Sequence, residues 1–66
     1  MTAIINGESR DLPERLTVGA LLELLGAPRV GVAVARNDRV VRRVEYDTHA
    51  IEDGDRIEII RAVAGG

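Results

Sequence analysis

The chain has 66 residues, which is enough for one small domain with a single core. Isoleucine, valine and leucine account for 20 residues, too apolar a composition for intrinsic disorder, and the lack of cysteine excludes a disulfide framework, a thiolate metal site and a thiol nucleophile. The net charge of −2 at pH 7, with nine arginines and no lysine, disfavours nucleic acid as the main partner, because binding to phosphates needs clustered positive charge.

No run of apolar residues approaches the roughly 20 that cross a membrane, and the first residues do not have the pattern of a signal peptide. We therefore expect a cytoplasmic protein that makes no contact with membranes. One histidine cannot form a zinc site alone, so we also expect no metal site.

The first residues predict a β-hairpin. Residues 2–6 form a short apolar strand, and Asn6-Gly7 is a strong signal for a two-residue turn. The return strand is expected over residues 8–12, and Pro13 ends the pairing.

Apolar residues then recur with the spacing of a helix. They lie at i, i+3, i+4 and i+7: Val18, Leu21, Leu22 and Leu25. Thr17 is a suitable N-cap, Gly26 is placed for a left-handed end, and Pro28 prevents continuation. The helix is about eight residues long and too short to be stable alone. It must therefore lie on a sheet.

Three short strands are predicted after the helix. Residues 30–36 read as a buried strand with Val32 and Val34 on one face, and Asn37-Asp38 turns the chain into a strand over residues 40–43. A turn around Gly54 precedes the last strand, over residues 56–63. A hairpin, one helix, short strands and a final strand predict an α+β domain with one sheet wrapped on one helix.

The polar residues do not form a recognisable catalytic or calcium-binding set. Glu52, Asp53 and Asp55 do not fit the spacing of a calcium loop and are interpreted as a solvated turn. His49 is interpreted as a surface or capping residue, because no partner for a base is visible. An enzyme is therefore the least favoured class.

The two glycines at the C-terminus have two interpretations. One is a frayed tail, since chain ends are commonly disordered. The other is an arm that carries chemistry: glycine has no Cβ, so Gly65 and Gly66 can enter a narrow channel, and residues 63–66 span roughly 13 Å when extended. With neither cysteine nor lysine present, the Gly66 carboxylate is the group best suited to carry an activated acyl species.

Five segments share the pattern of one known family. They are Thr17-Val18 with Leu21-Leu22, Val32-Ala33-Val34-Ala35, the turn at Asn37, Asp53-Gly54-Asp55-Arg56-Ile57-Glu58-Ile59-Ile60, and Ala62-Val63-Ala64-Gly65-Gly66. Together they resemble the ThiS sulfur carrier of thiamine biosynthesis over nearly the whole chain. The resemblance implies a β-grasp, ubiquitin-like fold, with a mixed sheet of four to five strands on one main helix. Residues 1–62 would form the single domain and residues 63–66 a flexible tail, and the free protein would be a monomer.

The resemblance also implies a chemistry. An adenylyltransferase similar to ubiquitin-activating enzymes would use ATP and magnesium to adenylate the Gly66 carboxylate. Sulfur from a cysteine desulfurase or another donor would displace AMP, and the resulting thiocarboxylate would donate sulfur to thiazole synthase. Gly65 would give clearance, and Ala62, Val63 and Ala64 would complete the arm that enters each partner. The carrier itself would hold no cofactor and catalyse no reaction.

A docking surface is predicted from alternation along the strands. Ile60 points away from the helix if Ile59 points toward it, and one of Ile4 and Ile5 must also point outward. An outward pair of Ile60 and Ile4 predicts a protein-binding patch, with Arg61 placed to pair with acidic groups of a partner. Scattered exposed isoleucines and ordinary solvated arginines are the alternative.

Related functions remain open at this stage. The small subunit of molybdopterin synthase shares the implied fold and the Gly-Gly end, and related carriers serve tRNA thiolation or are conjugated to proteins. A β-grasp module that only binds, for example to RNA, would need a basic face, and nine arginines against eleven acidic residues supply no obvious one.

Overall fold

The computed structural model describes residues 1–61. They form five strands, one α-helix and one turn of 3₁₀ helix. The strands are β1 (Thr2–Ile5), β2 (Glu8–Asp11), β3 (Val32–Arg36), β4 (Arg39–Val41) and β5 (Arg56–Arg61), the helix is α1 (Val18–Leu24), and the 3₁₀ turn covers Arg43–Glu45. The predicted arm over residues 62–66 and the predicted domain boundary at residue 62 lie outside the described residues.

The five strands form one mixed sheet in the order β2-β1-β5-β3-β4. The two central strands, β1 and β5, are parallel, and Ile4 lies beside Arg56. The other three pairings are antiparallel. A mixed sheet on one helix is the α+β, β-grasp arrangement expected from the sequence, and the prediction is confirmed.

The core lies between the helix and one face of the sheet, which we call the inner face. Leu21 and Leu22 of α1 are fully buried there, together with Val34 of β3 and Ile57 of β5. The core is aliphatic apart from Tyr46, which is buried after the 3₁₀ turn. Each buried leucine or isoleucine contributes roughly 1.5–3 kcal/mol relative to an exposed one, so these few side chains stabilise a domain of this size.

Hairpin turns form at both dipeptides for which the sequence predicted a turn. Asn6 and Gly7 have φ of +50° and +83°, and Asn37 and Asp38 have φ of +51° and +69°. Positive φ at both central residues is the geometry of the two-residue turn that matches the twist of a hairpin. Both turn predictions are confirmed.

The start of α1 also follows the sequence prediction. Thr17 is the N-cap, and its Oγ1 accepts a hydrogen bond from the backbone N–H of Ala20 at 3.2 Å. The helix ends at Leu24, and Gly26 takes a positive φ of +69° after it. The predicted end at Leu25 was one residue too late, because Leu25 is the C-cap.

The second half of the chain is less regular than predicted. β3 begins at Val32 and not at residue 30, because Gly31 has φ of +80° and interrupts the extended backbone. β4 ends at Val41, and the chain then enters the 3₁₀ turn instead of continuing as a strand to Arg43. Among residues 1–61, no helix is long and apolar enough to cross a membrane, and no group of three or more potential metal ligands comes together.

Candidate functional site

The strand that leads to the C-terminus is held in the centre of the sheet. β5 has β1 on one side and β3 on the other, and it ends at Arg61, where the described residues end. Gly66 follows five residues later in the sequence. The five candidate arm residues, Ala62, Val63, Ala64, Gly65 and Gly66, lie outside the described residues, so their roles stay predictions.

The face of the sheet opposite the helix, which we call the outer face, carries a row of exposed apolar side chains. Ile60 is 61% exposed, as alternation along β5 predicted, and Ala33 of β3 lies opposite it. Ala35, which is half-buried, is on the same face between Glu58 of β5 and Val40 of β4, and Val40 is 77% exposed. We call these four residues, Ile60, Ala33, Ala35 and Val40, the outer patch. Its residue Ile60 is two positions before Ala62, the first residue of the arm, in the sequence.

The other two residues of the predicted docking surface lie apart from Ile60. Ile4 does point to the outer face and is 39% exposed, while Ile5 is buried. However, Ile4 lies beside Arg56, four residues before Ile60 on β5, which is a distance of roughly 13 Å along the strand. Arg61 is exposed but lies on the opposite face from Ile60 by alternation. The structure therefore groups Ile60 with β3 and β4, not with Ile4.

Asp55 is buried, so the interpretation of all three acidic turn residues as solvated was wrong for this residue. It is 6% exposed, whereas Glu52 and Asp53 are exposed. Its Oδ2 accepts hydrogen bonds from Nε of Arg36 at 2.5 Å and from the backbone N–H of Glu52 at 2.7 Å. Its Oδ1 accepts from Nδ2 of Asn37 at 3.0 Å. The carboxylate thus ties the start of β5 to the turn between β3 and β4.

The sequence did contain a signal for this burial. Asp55 is two residues before Ile57, and residues two apart on a strand share a face. Extending the inward alternation of Ile57 by one step places Asp55 inside. Asp-Gly-Asp was instead read as turn chemistry, which is typical of exposed loops.

His49 is half-buried and supports neighbouring elements. Its carbonyl oxygen accepts the N–H of Val18 at 3.0 Å, which satisfies a donor in the first turn of α1. Its Nε2 lies 3.5 Å from Nη1 of Arg36. These contacts agree with its interpretation as a capping residue, and no nucleophile lies among its contacts within the described chain.

The environment of Asp55 predicts a loss of stability in acid. Burial by itself raises the pKa of the Asp55 carboxyl, but hydrogen bonds from Arg36, Glu52 and Asn37 lower this pKa below its ordinary value. The ionised group therefore contributes stability that is fully present above the unfolded pKa of about 4 and is lost as the pH falls through the lower folded pKa. Urea unfolding between about pH 2 and 6 measures this, and Asp55→Asn should lack this part of the pH dependence. Identical pH profiles for the two proteins would contradict the assignment.

The described residues do not bring together a nucleophile, a base and a group to orient it, nor a metal site. They do present the central strand β5, which Gly-Gly follows in the sequence, and the outer patch on the outer face of the sheet. The sequence model of the ThiS family matches residues 3–66. The chain belongs to the ThiS family.

Individual relatives agree with this assignment. Sulfur carrier protein ThiS of Escherichia coli strain K12 is 33% identical over 66 residues, with 100% of both chains covered. The crystal structure of a ThiS thiamine biosynthesis protein from Geobacter metallireducens has a TM-score of 0.87 at 30% identity, again with 100% of both chains covered. A thiazole synthase of Paramagnetospirillum magneticum is 42% identical over 66 residues, and the ThiS-family chain spans 20% of that protein's length.

Proposed function

We propose that this ThiS-family chain is a sulfur carrier of thiamine biosynthesis that acts through its C-terminal carboxylate. An oxygen of the Gly66 carboxylate attacks the α-phosphorus of magnesium-bound ATP in an adenylyltransferase, and pyrophosphate leaves. Sulfide, released from a desulfurase persulfide by a thiol reductant or supplied by another donor, then attacks the acyl carbon, and AMP leaves. The product is a thiocarboxylate at Gly66.

The second half of the proposed cycle delivers the sulfur. Thiazole synthase accepts the sulfur atom into the thiazole ring, and an oxygen atom from the acceptor substrate or from water takes its place, which restores the Gly66 carboxylate. The match between this chain and a segment of a thiazole synthase supports this partner, because a carrier-like segment within the acceptor enzyme is useful only if the two act together. We propose that the chain works as a free monomer in the cytoplasm, where ATP and its partners are available.

The observation that carries the proposal is the position of β5. It is the central strand, paired with β1 at Arg56 and Ile57 and with β3 as far as Arg61, and residues 62–66, which include Gly-Gly, follow it in the sequence. The partners supply the catalytic groups, and the carrier supplies an anchored end that can be recognised and an acyl carbon that can be activated. A carboxylate needs this activation, because it is a poor electrophile until one oxygen has become a good leaving group.

Intact-mass measurement tests the function directly. The protein is incubated with an adenylyltransferase of the ubiquitin-activating type, ATP, magnesium and sulfide. We expect the mass gain for exchange of one oxygen by sulfur, located at Gly66 by fragmentation. A sample without ATP is the control. If a known carrier gains sulfur under the same conditions and this chain does not, the proposed function is wrong.

The outer patch is the surface we propose for docking to these partners. Ile60 and Val40 of this patch are apolar and exposed, and Ile60 lies on β5, the strand that precedes the arm in the sequence. An exposed apolar patch of this kind is typical of protein interfaces, and the aliphatic side chains of Ile60 and Val40 would be desolvated on binding.

Ile60→Glu should weaken binding to the adenylyltransferase by roughly tenfold or more, because a carboxylate would replace an apolar side chain that is desolvated on binding. The melting temperature should change little, since Ile60 is 61% exposed. Titration calorimetry and thermal unfolding measure the two effects. Val44→Glu is the matched control, because Val44 is 77% exposed but lies in the 3₁₀ turn outside the sheet. Equal binding losses in the two variants would reject the patch as the docking surface.

A further inference from the structure

The side chain of Asn6, at the tip of the β1–β2 hairpin, contacts β5 and takes the place of a missing strand residue. Its Oδ1 accepts the backbone N–H of Ile59 at 2.8 Å, and its Nδ2 donates to the carbonyl oxygen of Ile59 at 3.2 Å. Its own backbone N–H donates to the carbonyl oxygen of Ile57 at 2.9 Å. One residue thus makes hydrogen bonds to β5 that a longer parallel strand would otherwise make.

These contacts are needed because the two central strands end at different levels. β1 ends at Ile5 and the chain turns away at Gly7, but β5 continues to Arg61. Without the Asn6 amide, both polar backbone groups of Ile59 would face the β1 side with no strand beside them. Backbone groups in a sheet must be paired or hydrated. The amide therefore holds β5 on this side for two more residues beyond Ile57.

We infer that Asn6 is a positioning residue for the C-terminal arm. β3 pairs with β5 on one side as far as Arg61, and Asn6 fixes the other side at Ile59, so the two together set the place and direction from which the sequence continues to Gly66. This inference rests on the proposed function, because position matters only if the Gly66 carboxylate must reach a reacting atom. A small displacement of a reacting group costs a large factor in rate, so the anchor at the base of an arm affects chemistry at its end.

The chain contains a matched control in Asn37. It occupies the equivalent position of the other two-residue turn, with φ of +51° against +50° for Asn6. Its Oδ1 accepts the N–H of Arg56 at 2.9 Å, its Nδ2 donates to Oδ1 of Asp55 at 3.0 Å, and its backbone N–H donates to the carbonyl oxygen of Arg56 at 2.7 Å. Asn37 thus holds the start of β5 as Asn6 holds its end. Only Asn6 is at the end that leads to Gly66.

Glycine at either position removes the side-chain hydrogen bonds and keeps the turn, because glycine adopts positive φ freely. Amide hydrogen exchange by NMR reads the local effect without any partner. In Asn6→Gly, we expect exchange at Ile59 to become roughly tenfold faster, because its N–H loses the acceptor that protects it. In Asn37→Gly, hydrogen exchange should become faster at the amide of Arg56 instead. Unchanged exchange at Ile59 in Asn6→Gly would overturn the inference.

The functional readout is the rate of thiocarboxylate formation with the adenylyltransferase. We expect Asn6→Gly to lower kcat about tenfold and to change KM for the carrier less than about twofold, because the outer patch that docks is retained. Asn37→Gly, compared at a temperature where both variants are folded, should keep kcat. A general loss of stability would affect both variants, so equal kcat values in the two would overturn the inference.

Three further outcomes of these experiments can be told apart. If Asn6→Gly does not fold, Asn6→Asp serves instead, since it keeps the acceptor for the Ile59 N–H and loses the donor to the Ile59 carbonyl. Its kcat should fall below that of the wild type, and a wild-type value would overturn the inference. If the wild-type protein itself gains no sulfur, the proposed function is wrong. If the wild type reacts and Asn6→Gly matches Asn37→Gly, the proposed function stands and the role of Asn6 is wrong.

Discussion

Replacing Asp55 with alanine will lower the free energy of unfolding by about 3 kcal/mol. The carboxylate accepts hydrogen bonds from Arg36, from Asn37 and from the backbone of Glu52. Its removal leaves these donors without their acceptor and leaves the partly buried guanidinium of Arg36 without its main partner. Breaking such a buried pair costs more than the pair contributes in net terms, because the remaining charge stays desolvated.

Thermal and urea unfolding measure this loss. For a domain of this size, about 3 kcal/mol corresponds to a fall in melting temperature of roughly 15 °C or more. The control is Glu52→Ala, which removes a neighbouring carboxylate that is exposed and lies 3.8 Å from Arg36. We expect its effect to be under about 1 kcal/mol, since exposed ion pairs contribute little. If the two variants are equally stable, Asp55 does not organise the start of β5.

Local patterns were sufficient for much of the fold. Asn6-Gly7 and Asn37-Asp38 each specify a turn, because few residues tolerate positive φ at two successive positions. Thr17 specifies the start of the helix through one hydrogen bond to a residue three positions later. Each of these signals depends on residues that are close in the sequence, so each could be read without knowing the tertiary structure.

Features that depend on strand register could not be read in this way. Outward alternation correctly placed Ile60 and Ile4 on the outer face, but their separation follows from the pairing of Ile4 with Arg56, residues that are 52 positions apart. The sequence also gave no indication that Ala33 lies opposite Ile60. The apolar surface around Ile60 therefore follows from the order and register of the strands, and it was predicted only in part.

The contacts of the two turn asparagines show the same limit. Their backbone conformation could be predicted from the dipeptides, but the partners of their side chains could not. Asn6 bonds to Ile59, 53 residues later, and Asn37 bonds to Arg56. Each asparagine therefore has two roles. Its backbone forms the turn, and its side chain binds β5, a strand that is distant in the sequence.

Deletion of Gly66 should abolish thiocarboxylate formation and leave the fold intact. The shortened chain still ends in a carboxylate, but that group lies about 3.5 Å short of its place when the body is docked. A misplacement of about 1 Å can cost a hundredfold in rate, so we expect a loss of at least about a hundredfold in kcat/KM for the adenylyltransferase. The melting temperature should stay within about 1 °C, because Gly66 follows β5 by five residues.

Deletion of Ala64 is the matched control, because it shortens the arm by the same length and keeps the Gly-Gly end. If reach alone limits the reaction, both deletions lose activity equally. If clearance for the last two residues also matters, deletion of Gly66 is the more severe change, since it places the Cβ of Ala64 one position from the terminus, where wild type has glycine. Intact mass after incubation with adenylyltransferase, ATP, magnesium and sulfide gives the extent of sulfur transfer for each protein. A chain without Gly66 that gained sulfur at the wild-type rate would contradict the requirement for a carboxylate at the position of Gly66, because the shortened chain ends one residue earlier.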